Sequence, residues 1–211
     1  MRPSNWRFLD IGFVGAYEQP FLHLTLRREN PENHIIGIDN HIKGVLESRL
    51  PNTLTADAGI MPFKNESFDG VLLLEVLEHL YCPLPTLFEC WRVLRPGGEL
   101  IITTPNAWSW LNFLRCWMLG ALASRVQRDV YRLYLGDADH KHFYDPLSLM
   151  NLLDDAGFRT TSIKTKNHAI PGLRRYFRVF DLIDWRFYPM NRLGAYVCLT
   201  ASKANPPRIA H

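Results

Sequence analysis

Acidic residues recur where apolar runs of this chain end. Asp10 lies in Arg7–Ile11 and is followed at once by Gly12 and Gly15. Asp39 closes His34–Asp39, Asp57 with Ala58 follows Thr53–Ala56, and Glu75, Glu78 and His79 follow Phe68–Leu74. Glycines let a ligand approach the backbone closely. A carboxylate at the end of a strand can accept both hydroxyls of a ribose, and Asp57 could accept an amino group of a base. The set suits a nucleoside ligand. No G-x-x-x-x-G-K-[ST] stretch is present, so a phosphate-cradling loop is not expected. Glu75, Glu78 and His79 have i, i+3, i+4 spacing and, at a helix start, would share one face. Two carboxylates and an imidazole could hold a divalent ion, Mg²⁺ being favoured by oxygen ligands. Alternatively Glu75 faces a bound ligand while Glu78 and His79 cap or pair locally, and no metal is expected.

These residues need a scaffold that brings strand ends together, and the order of elements supplies one. Short apolar runs alternate with helical patterns: helices are expected over Phe21–Arg28, Ile42–Leu50 and Leu84–Leu94, and from Asp145 to Gly157. Strands are expected at Arg7–Ile11, His34–Asp39, Thr53–Ala56, Phe68–Leu74, Glu99–Thr104, Arg159–Lys164 and Gly194–Ser202, with Pro96-Gly97-Gly98 ending a helix. Such alternation predicts an α/β fold, a doubly wound, Rossmann-like parallel sheet with helices on both faces. Ligands of such sheets bind beyond the carboxyl ends of the strands, which is where the acids gather.

The 211 residues are 47% hydrophobic and 21% charged, with a net charge of +3. That composition excludes a disordered chain and lacks the basic excess of a dedicated nucleic-acid binder. A single domain over 1–211 is expected. The cysteines Cys82, Cys90, Cys116 and Cys198 form no C-x-x-C pair, and dispersed thiols suit a reducing, cytoplasmic setting. Met1–Arg7 has no apolar signal-like core, and the apolar stretch Cys116–Ala123 is far shorter than the roughly 20 residues of a spanning helix.

Several motifs, in order, resemble class I S-adenosylmethionine-dependent methyltransferases: Leu9-Asp10-Ile11-Gly12, Gly37-Ile38-Asp39, Ala56-Asp57-Ala58-Gly59-Ile60-Met61-Pro62-Phe63, Ser67-Phe68-Asp69-Gly70-Val71, Leu74-Glu75-Val76-Leu77-Glu78-His79-Leu80 and Trp91-Arg92-Val93-Leu94-Arg95-Pro96-Gly97-Gly98. The likeness runs from Leu9 to about Ile102 and resumes at His140–Phe158, nearest the branch that includes the ubiquinone-biosynthesis O-methyltransferases. It implies a seven-stranded sheet with an antiparallel final strand and S-adenosylmethionine across its C-terminal edge. By position, Asp10 and Gly12 would line the methionine part, Gly15 would let the cofactor lie against the backbone in a shifted loop, Asp39 would hold the ribose, Asp57 and Ala58 would meet the adenine, and Glu75 would face cofactor or substrate. His79 or His140 would act as the base for an oxygen nucleophile, imidazole titrating near neutral pH. The family's D-x-G-C-G-x-G reads here Asp10-Ile11-Gly12-Phe13-Val14-Gly15-Ala16, so Val14 replaces a glycine.

Two stretches exceed plain connections. In 105–141, Trp108, Leu111, Leu114, Met118 and Leu122 repeat at near-helical spacing, as a lid over the site or a helix packed on the domain. In 165–193, Arg174, Arg175, Arg178, Arg186 and Arg192 are interleaved with aromatics. That pattern suits arginine stems covering apolar surface, a lipid-linked acceptor or membrane surface or, least, nucleic acid. The expected activity is O-methylation of a small or lipid-linked acceptor. An RNA methyltransferase and a non-enzymatic binding protein on the same fold are the alternatives.

Overall fold

The structure is a computed structural model, and it describes residues 5–14, 21–29, 31, 34–109, 140–166 and 196–208. Gly15, most of 105–141 and most of 165–193 lie outside the described residues, and so do the lid and surface readings made for them.

Seven strands form one sheet: β1 (Arg7–Ile11), β2 (His34–Asp39), β3 (Thr53–Thr55), β4 (Phe68–Leu74), β5 (Leu94–Pro105), β6 (Phe158–Lys166) and β7 (Tyr196–Lys203), in the order β3-β2-β1-β4-β5-β7-β6. The pairs β1–β2, β1–β4, β2–β3 and β4–β5 are parallel. β7 enters between β5 and β6 and runs antiparallel to both. The helices are α1 (Phe21–Glu29), α2 (Ile42–Ser48), α3 (Pro83–Val93) and α4 (Pro146–Asp155), with a 3₁₀ turn at Leu77–His79. The expected α/β, Rossmann-like sheet with an antiparallel final strand is therefore present.

Sequence explains each layer. β4 is flanked by β1 and β5, and five of its seven residues are buried, which accounts for the unbroken apolar run of a strand covered on both faces. β7 alternates, burying Val197, Leu199 and Ala201. Leu9, Ile38, Phe68, Leu73, Leu100, Ile102, Leu149 and Leu199 form one continuous core. Truncating any such leucine to Ala would cost about 2–5 kcal/mol.

Local signals set the ends. Asp145 accepts from the Leu147 and Ser148 amides at 2.8 and 3.1 Å, and Ser148 Oγ accepts from the Asp145 amide, a capping box with Pro146 in the first turn of α4. α2 stops at Ser48, before Leu50, because Arg49 is left-handed (φ 50°). Pro96-Gly97-Gly98 does not end a helix. α3 ends at Val93, and the proline and glycines form an irregular start of β5, where pairing jumps from Phe68–Leu94 to Gly70–Glu99.

One network holds the loop after β3 against α3. The Arg92 guanidinium donates to Glu89 at 2.6 and 2.7 Å and to the Phe63 and Met61 carbonyls at 2.7 and 3.1 Å. Glu89 Oε2 accepts from the Met61 amide at 2.6 Å. This fork-and-carboxylate clamp fixes the segment that begins at Asp57. Among the described residues no helix is long and apolar enough to cross a membrane.

Candidate active site

A cleft of about 310 Å³ opens at the C-terminal edge of β1, β2 and β4, lined among others by Gly12, Asp39, Asp57, Ala58, Glu75 and His79. This volume lies within the range of small-molecule sites, roughly 300–1,000 Å³. The topology places the cleft where open α/β sheets bind ligands.

Its floor is the turn after β1. Gly12 is left-handed (φ 75°), and its amide donates to the Ile38 carbonyl at 2.8 Å. A Cβ there would stand 2.5 Å from Val76 Cγ2. Only glycine satisfies both the dihedral and the space. At the end of β2, Asp39 Oδ2 accepts from the Val14 amide at 3.1 Å and Oδ1 from the His41 amide at 2.8 Å. An ionised carboxylate has about four acceptor sites, so Asp39 is fixed by backbone amides and keeps acceptor capacity for two ribose hydroxyls. Asp57 Oδ1 accepts from the Gly59 amide at 2.7 Å, which shapes the turn presenting Ala58. This set of acceptors fits the ribose hydroxyls and base amino group of S-adenosylmethionine.

Asp10 is placed differently from the other acids. It is buried and absent from the cleft lining, and its Oδ2 lies 2.9 Å from His23 Nδ1 on α1. Burial pushes its carboxyl above the usual range, against the lowering effect of His23. His23, fully buried, carried no motif, and only the three-dimensional pairing reveals it.

The opposite wall begins at Glu75, a non-glycine residue at φ 57°. Such backbone strain, costing about 1–3 kcal/mol, concentrates at functional sites. The Glu75 amide donates to the Thr103 carbonyl at 2.9 Å. Burial raises the Glu75 carboxyl, and a hydrogen bond with Thr103 opposes the rise. Because Glu75 is left-handed and the 3₁₀ turn starts only at Leu77, the expected shared helical face of Glu75, Glu78 and His79 does not form. Instead Glu78 turns inward: its side chain is buried, and Oε2 accepts from Thr104 Oγ1 at 3.1 Å. Glu78 Oε1 is buried with no hydrogen-bond partner among the described residues. Burial pushes this carboxyl up to about 7, reinforced by the nearby charge of Glu75.

A distant segment completes this wall. The Lys141 and His142 amides donate to the Glu78 carbonyl at 2.7 and 3.1 Å. This seats the His140 ring 4.8 Å, centroid to centroid, from that of His79. Ligand atoms of Glu78, His79 and His140 lie within 4.8 Å of one another, so a divalent ion could be held by these three rather than by the Glu75 set. The structure thus brings together Gly12, Asp39, Asp57, Ala58, Glu75 and His79 along one cleft, with His140 beside His79. Thr104, which no motif singled out, orients Glu78.

Comparison with known proteins agrees with this geometry. Residues 9–102 match the family described as a methyltransferase domain. Over 97 residues the chain is 30% identical to the ubiquinone biosynthesis O-methyltransferase of Idiomarina loihiensis, covering 46% of this chain and 37% of that protein. The chain spans about two fifths of the length of such curated relatives. Among solved structures, an S-adenosylmethionine-dependent methyltransferase from Thermotoga maritima superimposes with a TM-score of 0.61 at 21% identity, covering 94% of this chain and 82% of that one. The [4+2]-cyclase SpnF also reaches 0.61, at 19% identity, covering 97% and 76%. At these identities the superpositions show the fold alone, a fold that also carries cyclase chemistry. Motif order, strand order and family match converge: residues 9–102 match the methyltransferase-domain family, in a chain that shares the fold of solved S-adenosylmethionine-dependent methyltransferases.

Proposed function

We propose that the chain transfers the methyl group of S-adenosylmethionine to a hydroxyl oxygen of a small or lipid-linked acceptor. The observation that carries this reading is the joint placement of the Asp39–Asp57–Ala58 wall and His79 in one cleft, with the His140 ring packed against His79. Bound S-adenosylmethionine supplies an already activated methyl carbon. The protein then has to hold the acceptor in line, remove its proton and exclude water. Asp39 and the turn at Asp57 would orient the nucleoside, and Glu75 would face the space between cofactor and acceptor. His79 or His140 would take the acceptor proton. The O-methyltransferase relatives support an oxygen acceptor.

The segment between Ser109 and His140 supports a lid. Its two flanks meet beside the cleft: the Ala107 amide donates to the Tyr144 carbonyl at 2.9 Å, and Asn106 pairs with Tyr144. Trp108 is 52% exposed there, as befits a side chain awaiting an apolar partner. A peripheral contact of 165–193 with a membrane surface rests on its interleaved arginines and aromatics, and nucleic acid remains the least favoured partner. A reducing, cytoplasmic setting rests on the sequence alone, on Cys82, Cys90, Cys116 and Cys198 being dispersed with no C-x-x-C pair.

The test is transfer of labelled methyl to dihydroxylated aromatics with and without a prenyl tail. His79→Ala or His140→Ala should lower kcat by about 10²–10⁴-fold, the usual contribution of a general base, with S-adenosylmethionine affinity unchanged. Binding of S-adenosylmethionine without transfer to any hydroxyl would overturn the O-methylation reading.

A second reading, favoured by the clustering of Glu78, His79 and His140, is that a divalent ion positions the acceptor hydroxyl there. Oxygen and imidazole ligands suit several divalent metals. Full turnover in chelator would refute it; collapse in chelator with recovery on added Mg²⁺ or Zn²⁺ would establish it.

A further inference from the structure

The loop after β1 should be the weakest part of this domain, since Phe13 and Val14 stand where the resembled family has small residues. Yet Phe13 is 5% and Val14 1% exposed, and with Val45 they form a small core of their own. The space for both comes from two glycines elsewhere in the chain. A Cβ on Gly37 of β2 would lie 2.8 and 2.9 Å from Phe13 ring atoms and 3.1 Å from His23 Cε1. A Cβ on Gly44 of α2 would lie 2.6 Å from Val14 Cγ1 and 2.7 Å from His41 Nδ1. Neither Gly37 nor Gly44 is left-handed, so their lack of a side chain matters for room, not for conformation.

We infer that the cofactor loop is set by two side-chain knobs in two glycine sockets, Phe13 on Gly37 and Val14 on Gly44, and that these four are positioning residues for the nucleoside. The link to the site is direct. The residue whose side chain fills the Gly44 socket is also the one whose amide donates to Asp39 Oδ2 at 3.1 Å. Behind Phe13, the His23 ring packs at 5.2 Å, centroid to centroid, and is anchored by Asp10. Asp10 therefore acts on the loop from behind, through His23 and Phe13. Valine is β-branched with a stiff side-chain torsion, so it cannot evade an added methyl by swinging aside. The loop backbone must move, and the Asp39 contact moves with it.

This inference rests on the methyltransferase reading, and Gly44→Ala separates the two. Alanine is the better helix former, so without a socket the variant would melt higher than the wild type and bind as well. With the socket, the ligand-free full chain melts lower. Its S-adenosylmethionine Kd, read by calorimetry, rises roughly ten- to a hundredfold, as expected when a hydrogen-bonded charge is misplaced. Val14→Ala/Gly44→Ala then restores both melting and Kd, because the second change vacates the space that the first fills. A ligand-free melting temperature of Gly44→Ala at or above wild type overturns the socket. A lowered melting temperature with an unchanged Kd overturns its role in cofactor positioning. If the wild type fails to bind S-adenosylmethionine, the methyltransferase reading falls, while the ligand-free melting series still decides the socket.

Discussion

The two walls of the cleft are built by different means. On the β1–β3 side, each functional group sits within a few residues of its strand end, and backbone amides hold it: Val14 and His41 on Asp39, Gly59 on Asp57. On the β4–β5 side, side chains come from afar. Glu78 meets Thr104, and His140 reaches His79 because Lys141 and His142 bind the Glu78 carbonyl. The first wall suits a nucleoside through local geometry. The second gathers the buried Glu78, whose carboxyl burial pushes up to about 7, with the half-buried His79 and His140. On the proposed reading, cofactor binding falls to the first wall and acceptor specificity to the second.

The sharpest break of the first wall is at Gly12. Gly12→Ala must place a side chain in the left-handed region, costing about 1–2 kcal/mol. It also forces a methyl against Val76, typically another 1–3 kcal/mol. A total of about 2–5 kcal/mol should appear in urea unfolding, with S-adenosylmethionine binding lost in the folded fraction. An unchanged unfolding midpoint would show that the turn relaxes freely.

Asp39→Ala is a gentler test, leaving the fold and removing the acceptor. Hydrogen bonds to charged groups contribute about 1.5–3 kcal/mol, so the S-adenosylmethionine Kd should rise roughly ten- to a hundredfold. A wild-type Kd in this variant would sink the assignment of the first wall.

The second wall should declare itself through pH. Glu78 is pushed from 4.5 up to about 7. Between those values the folded protein keeps a proton that the unfolded chain has released. Stability from this group is therefore full below about 4.5, falls as pH rises to about 7 and is level above. Thermal melting across this window should lose part of its slope in Glu78→Gln. Asp10 and Glu75, also raised, contribute with the same sign and preserve the remainder. An identical slope in the variant would mean that Glu78 is not buried as a neutral acid.

The smallest stability effect is expected at Trp108. Half exposed, it should cost less than about 0.5 kcal/mol on truncation to Ala, as surface changes do. The acceptor KM should nevertheless rise and S-adenosylmethionine affinity stay the same. A large drop in melting temperature would instead make Trp108 part of the core.

Much of the first wall was legible in the sequence because its determinants are local. Strand periodicity places an acid at a strand end, and parallel α/β architecture brings successive strand ends to one edge. For this reason Asp39, Asp57, Ala58 and Gly12 fall where their spacing predicts. Of the second wall the members Glu75, Glu78, His79 and His140 were legible, but not their arrangement. The spacing of Glu75, Glu78 and His79 would align them on a regular helix, but the left-handed Glu75 separates them, and dihedrals of this kind are stabilised by tertiary contacts.

Residue order alone determined the sheet, its binding edge and the acids along it, since hydrophobic period and turn chemistry act over short distances. Tertiary structure decided which acids face the ligand. Asp10 lies one residue before the end of β1 and Asp39 ends β2, yet Asp10 turns to a buried histidine on α1 while Asp39 opens to the cleft. It also decided that Phe13 and Val14 could occupy a cofactor loop, because the space for them is supplied by glycines on β2 and α2. Such complementarity depends on packing between segments distant in sequence, which no local pattern records.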